Sequence, residues 1–193
     1  TAAIDVHNHF GSIPGVSATV RDIDAIQLFA NKYNIEYSVC SSYVAYHEDI
    51  QSGNIEMLNK IKDHTNLLGS PVISPTHIDT SVKWLDMFEK NEKLAHATLM
   101  IDTVLERPGS EPYMKLFAEA NRRNIPIFLN GPNRDQIRLI SWPKGPGFAP
   151  YEGRSASADV TSMLLKVGQL YPDLPIILGH GMGEDGIEIV KNL

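Results

Sequence analysis

Short apolar runs alternate along the chain with longer stretches whose apolar positions recur every three or four residues. The runs are Ala3–Asn8 (AIDVHN), Ile35–Ser42 (IEYSVCSS), Leu67–Ser74 (LLGSPVIS), His96–Asp102 (HATLMID), Pro126–Asn130 (PIFLN) and Pro175–His180 (PIILGH). Each is rich in β-branched residues and bounded by turn residues, the pattern of strands buried on both faces. Between them, Asp22–Tyr33 carries Ile23, Ile26, Leu28, Phe29 and Tyr33 close to a helical period, Asn54–His64 carries Ile55, Leu58 and Ile61, and Thr80–Lys90 carries Val82, Leu85 and Phe88. Pro112–Arg123 opens with proline in its first turn, a favoured place, and is expected to bury Tyr113, Leu116 and Phe117. Ser157–Tyr171 and Asp185–Leu193 complete the predicted helices.

Strand, helix, strand at this spacing predicts parallel βαβ units, six of them. An open doubly wound sheet normally shows a glycine-rich phosphate loop after its first strand. Here that strand ends in histidines, so the expected fold class is α/β, a (β/α)8 TIM-barrel type with about six of the eight βα units present. The prediction is one barrel domain over 1–193, truncated at its C-terminal end. Its one long irregular segment, Gly131–Ala156, is expected on the catalytic rim with Trp142 and Phe148.

The composition narrows the function classes. The chain has 193 residues, 42% hydrophobic and 21% charged, enough for one sizeable core. With a net charge of -6 and no basic tract, it is not built to gather nucleic acid. It contains no apolar run of the roughly 18–20 residues that span a bilayer. The expected partner is a small-molecule substrate, with no nucleic acid and no membrane, and a homo-oligomer is compatible with this. The single cysteine, Cys40, forbids an intrachain disulfide and fits a reducing, cytoplasmic setting. Its surroundings favour packing over nucleophilic work, since no cationic neighbour is visible to lower its pKa.

Chemistry concentrates at strand ends. His7 and His9 stand two apart on a strand, so both side chains point to one face. At the carboxyl end of a first barrel strand that face is the mouth, where active sites lie. Two neutral imidazoles there can share one divalent ion. The competing reading is a pair of strand histidines hydrogen-bonded to the barrel floor. His180 ends the sixth strand in PIILGHGMG, where flanking glycines permit close approach of a ligand. It is expected to bind metal or to act as an acid or base near pH 7.

The opening IDVHNHFG and the later YPDLPIILGHGMG resemble the amidohydrolase-related branch of the amidohydrolase superfamily, metal-dependent TIM-barrel enzymes, over essentially the whole chain. The branch includes hydrolases of lactones and amides and nonoxidative decarboxylases of aromatic or dienoic acids. The resemblance implies that His7 and His9 are metal ligands and that His180 is catalytic, facing metal-bound water or substrate. The implied cofactor is one divalent metal, Zn²⁺ first and Mn²⁺ second.

Two departures stand out. The family commonly ends its fifth strand with a metal-binding histidine, and this chain has Asn130 there, in PIFLNG. An amide oxygen can ligate a hard cation but binds Zn²⁺ less well than imidazole does. The family's aspartate at the end of strand eight has no counterpart. Asp5 shares a face with His7 but lies one layer deeper, where a supporting role is expected.

His47, His77, Arg107, Arg134 and Arg154 also fall just past strand ends. Arginine is the natural clamp for a carboxylate, so Arg107, Arg134 and Arg154, with His77, are the candidates for binding substrate. His64 and His96 carry no such expectation. The leading function is a metal-dependent hydrolase of a small, carboxylate-bearing lactone, amide or ester. A nonoxidative decarboxylase on the same site is the nearest rival. A metal-free barrel that binds a small acid without turnover is the rival of another class.

Overall fold

The computed structural model describes residues 3–11, 22–101, 106–130 and 156–179, with backbone alone for 156–158. Most of the irregular Gly131–Ala156 segment and the helix expected over Asp185–Leu193 fall outside them. The described residues belong to two compact units, Thr1–Ile73 with Asp79–Thr98, and Ser74–Ile78 with Leu99–Leu193.

In the first unit, β1 (Ala3–Phe10), α1 (Ile23–Tyr33), β2 (Ile35–Ser42), a short α2 (Tyr43–His47), α3 (Ile50–Ile61) and β3 (Leu67–Gly69) follow one another. The strands pair in parallel in the order β1-β2-β3, as the βαβ spacing predicts. The third expected strand is split. After β3 the chain passes Ser70 and Pro71 before β4 (Val72–Ile73). Proline has no N–H to continue the ladder with β2, and the carbonyl of Pro71 instead accepts from Thr98 N–H at 2.9 Å. Helix α4 (Ile78–Asp86) runs into a 3-10 turn, Met87–Glu89, and β5 (Ala97–Met100) begins at the edge of this unit.

Local chemistry fixes the helix ends. Asp22 caps α1 by accepting from Ile23 N–H, and Asn34 closes it in the left-handed region at φ 53°. Asp49 Oδ1 accepts from Ser52 N–H at 2.7 Å to cap α3. The core gathers Phe10, Ile26, Cys40, Met57, Ile61 and Leu67. Two helical periodicities point elsewhere than expected. Helix α1 buries Ile23, Ile26 and Ala30 and leaves Leu28, Phe29 and Tyr33 exposed. Helix α3 buries Ile50, Gly53, Asn54, Met57 and Ile61, with Ile55 exposed.

In the second unit come α5 (Glu111–Arg122), β6 (Ile127–Asn130), α6 (Ala156–Leu170) and β7 (Ile176–Leu178), with β6 and β7 parallel. Tyr113, Leu116 and Phe117 are fully buried on α5, as its pattern predicts, and Tyr113 Oη donates to Met100 O at 3.2 Å. All four residues of β6 are buried. Gly179 follows β7 closely against β6: a Cβ there would lie 2.7 Å from Phe128 Cζ and 2.8 Å from Leu129 O, so only glycine fits. Among the described residues, no helix is long and apolar enough to cross a membrane.

Candidate metal centre

Strand β1 does not run in even register with β2. Asp5 stands opposite Ser38 and Asn8 opposite Cys40, so Val6 and His7 together face one residue of β2. Such a bulge re-aims side chains beside functional sites. Here His7 and His9 converge on one side, with Nε2 to Nε2 at 2.7 Å and the rings edge to face at 4.5 Å. Asp5 turns back on its own strand, its Oδ1 accepting from the His7 backbone N–H at 3.2 Å, which is a supporting role rather than a place beside the imidazoles.

The bulge is followed by regular pairing of His9 with Ser41 and Phe10 with Ser42. That register sets the buried Ser41 hydroxyl 2.8 Å from His9 Nδ1. Ser41 Oγ also lies 3.4 Å from Asn8 O and 3.3 Å from Tyr46 Oη. Ser42 then ends β2 and starts α2, accepting from Val44 N–H at 3.1 Å and donating to Glu56 Oε2 at 2.5 Å. One turn of helix is enough to bring Tyr43 and Tyr46 over His9. Tyr43 lies nearly face on at 4.9 Å with a 31° tilt, and Tyr46 lies edge on at 4.8 Å. Helix α3 holds this turn in place because Gly53 has no side chain: a Cβ would stand 2.1 Å from Ala45 N.

His96, for which the sequence raised no expectation, is almost wholly buried in this same unit. Burial first, and the charge of His7 second, together lower its pKa to about 4. Ser41, Tyr43 and Tyr46 were likewise missed. Their signal is the register itself: a polar SS pair ends β2 level with HNHF on β1. Cys40 is fully buried, and burial, with the negative charge of Asp5, raises its thiol pKa to about 12, so it is a packing residue.

The other candidates belong to the second unit or lie outside the described residues. Asn130 ends β6, buried, with its carbonyl accepting from Ile101 N–H at 3.3 Å. His77 is exposed, its Nδ1 2.9 Å from Thr76 Oγ1. Arg107 forks onto Asp159, Nη2 to Oδ1 at 3.0 Å and Nε to Oδ2 at 3.3 Å. His180, Arg134 and Arg154 lie outside the described residues. Among the described residues no group of three His, Cys, Asp or Glu side chains is placed to hold an ion. What the structure brings together is the pair His7 and His9.

No family profile and no curated protein matches the chain by sequence. Solved structures do match by fold. A dihydroxybenzoic acid decarboxylase from a Polaromonas species, with bound manganese and the inhibitor 2-nitroresorcinol, is 16% identical with a TM-score of 0.66, over 94% of this chain and 66% of that one. The 5-carboxyvanillate decarboxylase of Sphingomonas paucimobilis is 13% identical with a TM-score of 0.67, over 94% and 68%. An amidohydrolase II is 15% identical with a TM-score of 0.65, over 98% and 71%. The chain thus spans about two-thirds of the length of these proteins. At such identities the likeness establishes the fold alone, an α/β array of parallel βα units of the TIM-barrel type that these proteins share.

Proposed function

We propose that the protein is a metal-dependent enzyme of the amidohydrolase-related type acting on a small carboxylate-bearing molecule, with hydrolysis of a lactone, amide or ester as its leading reaction. The observation that carries this reading is the convergence of His7 Nε2 and His9 Nε2 at 2.7 Å. Two nitrogens each about 2.0–2.1 Å from one ion stand roughly 3 Å apart. A few tenths of an ångström of ring movement therefore suits the pair to a divalent cation. Two neutral imidazoles are the right donors for Zn²⁺ or Mn²⁺. Asn130 is the proposed oxygen donor in place of the histidine that the family carries, and it favours the harder Mn²⁺.

A bound divalent ion supplies Lewis acidity at a carbonyl or carboxylate oxygen and makes water a nucleophile near neutral pH. The chain's own residues do the rest. His7 and His9 orient, His180 takes and returns a proton, and the arginines hold the substrate carboxylate. His77, Arg134 and Arg154 are the stronger proposals for holding substrate, because Arg107 is already engaged with Asp159. A decarboxylase is the second reading, favoured because two of the three compared structures are decarboxylases by name. A cytoplasmic setting belongs to the proposal on the strength of one buried, unpaired thiol.

Elemental analysis of the purified protein should find about one Zn²⁺ or Mn²⁺ per chain. His7→Ala or His9→Ala should abolish metal content and turnover together, and Asn130→His should tighten Zn²⁺. Release of CO₂ from aromatic carboxylates, set against ring opening of lactones, separates the two reactions. Turnover that survives exhaustive chelation with no metal found would overturn the metal reading. Binding of a small acid with neither metal nor turnover would favour a metal-free binding barrel.

A further inference from the structure

The structure assigns to Ser41 a role in setting the tautomer of His9, with Tyr46 fixing Ser41 in turn; this inference rests on the metal reading above. A serine hydroxyl has one proton to donate and two lone pairs. Ser41 Oγ has three neighbours: Asn8 O at 3.4 Å, His9 Nδ1 at 2.8 Å and Tyr46 Oη at 3.3 Å. The carbonyl of Asn8 can only accept, so it takes the single hydroxyl proton. The other two neighbours must then donate, His9 through Nδ1–H and Tyr46 through its phenolic proton. Every hydrogen-bonding position on Ser41 is used once, which suits a side chain that is only 3% exposed.

The consequence falls on the far side of the imidazole. With its proton on Nδ1, His9 keeps a lone pair on Nε2, the nitrogen that meets His7 Nε2 at 2.7 Å. In the metal-free protein the proton in that contact therefore sits on His7 Nε2. For a cation between the rings, His9 would already be in the ligating tautomer, and only His7 would have to shift its proton from Nε2 to Nδ1. The opposite arrangement, in which Ser41 donates to Nδ1, would put the His9 proton on Nε2 and close the site. Backbone register makes the arrangement rigid: His9 and Ser41 are direct partners across the β1–β2 ladder. Tyr46 reinforces it twice, through its hydroxyl on Ser41 and its ring edge to face with His9 at 4.8 Å. Ser41 touches neither metal nor substrate in this scheme. It is a positioning residue of the kind whose loss costs about 10–100-fold in metal affinity.

The test is ring ¹⁵N NMR of histidine-labelled, metal-free protein, combined with titration of Zn²⁺ and Mn²⁺ alone. Wild type should show His9 as the Nδ1–H tautomer. Ser41→Ala should convert His9 to a mixture or to Nε2–H and weaken Zn²⁺ about 10–100-fold. Ser41→Thr, which keeps the hydroxyl, should restore both, and Tyr46→Phe should produce a smaller loss in the same direction. A wild-type His9 in the Nε2–H form overturns the inference. So does a Ser41→Ala protein whose His9 tautomer, or whose Zn²⁺ affinity, is that of wild type. A wild type that binds neither ion while its His9 tautomer still follows Ser41 supports the tautomer assignment and overturns the metal reading alone.

Discussion

Strands β1 and β6 are written alike, apolar residues leading to a polar one at the carboxyl end, yet they are built into different surroundings. Every residue of β6 is buried, with Ile127 and Leu129 inaccessible and Phe128 nearly so. On β1, Ile4 and Val6 are 59% and 36% exposed, and among the described residues β1 stands at the end of the order β1-β2-β3. The interiors differ too. Among the described residues the first unit buries Ser38, Ser41, Ser42, Asn54, Ser70, Ser81, His96 and Thr98, whereas the second, with a similar number of buried apolar residues, buries only Ser74, Asn130 and Asp159. Buried hydroxyls are tolerated when hydrogen-bonded: Ser41 Oγ lies 2.8 Å from His9 Nδ1, Ser42 Oγ donates to Glu56 Oε2 at 2.5 Å, and Ser70 Oγ and Thr98 Oγ1 lie 2.6 Å apart. The lesson is that, among the described residues, the second unit is shaped mainly by packing, whereas the first also builds buried polar groups into its core, Ser41 among them oriented onto His9.

The sharpest way to break this comparison is to delete bulk from each strand. Phe128→Ala should cost about 3–5 kcal/mol, because its ring lies against Gly179 in a site that cannot collapse. Ile4→Thr on the exposed face of β1 should change stability by no more than about 0.5 kcal/mol. Urea denaturation of both variants at one pH reads the difference directly. If Ile4→Thr costs as much as Phe128→Ala, the outer face of β1 is covered in solution and the contrast between the strands is not one of burial.

Acid offers a second handle, of intermediate size. His96 is buried in the first unit with its pKa lowered to about 4, against 6.5 for the free side chain. The unfolded chain therefore binds this proton more readily than the folded one. Its neutral form adds nothing to lose above pH 6.5. As pH falls from about 6.5 to about 4, protonation of the unfolded state draws away up to roughly 3 kcal/mol, and below that window the loss levels off. In wild type the His96 ring should remain neutral at pH 5 by NMR. The stability gap between wild type and His96→Asn should narrow between pH 7 and pH 5. A His96 that titrates near 6.5 would show that the first unit's interior is wet.

Much of the fold was legible because strand alternation and cap chemistry are local. All six expected strands exist, the parallel order follows from βα spacing, and α5 buries the three residues that its period named. What was not legible depends on partners remote in sequence. The split at Pro71 needed the acceptor role of its carbonyl toward Thr98. The exposure of Leu28, Phe29 and Tyr33 needed knowledge of which face of α1 meets the sheet. At the site, His7 and His9 announced themselves by spacing. Ser41, Tyr43 and Tyr46 did not, because serine and tyrosine are common and only the β1–β2 register places them on His9. His96 was passed over for sitting at the start of a strand, where a histidine is usually solvated.

The smallest expected effect concerns Arg107, where the sequence suggested a clamp for substrate and the structure supplies a partner within the protein. Its guanidinium spans both oxygens of Asp159, a carboxylate that is only 10% exposed while Arg107 itself is 57% exposed. A pair open to solvent on one side is worth about 1 kcal/mol or less, with the forked geometry placing it toward the upper end. Arg107→Lys keeps the charge and loses the fork, so it should lower stability by about 0.5–1 kcal/mol and leave KM near the wild-type value. Asp159→Asn should cost somewhat more, since the buried partner loses its charge-assisted bonds. A substrate role makes the opposite forecast: Arg107→Lys would raise KM about tenfold or more with stability unchanged, and Asp159→Asn would free the guanidinium and lower KM. Denaturation midpoints and KM measured on the same two variants therefore decide whether this arginine fastens the loop before α5 to α6 or reaches for a carboxylate.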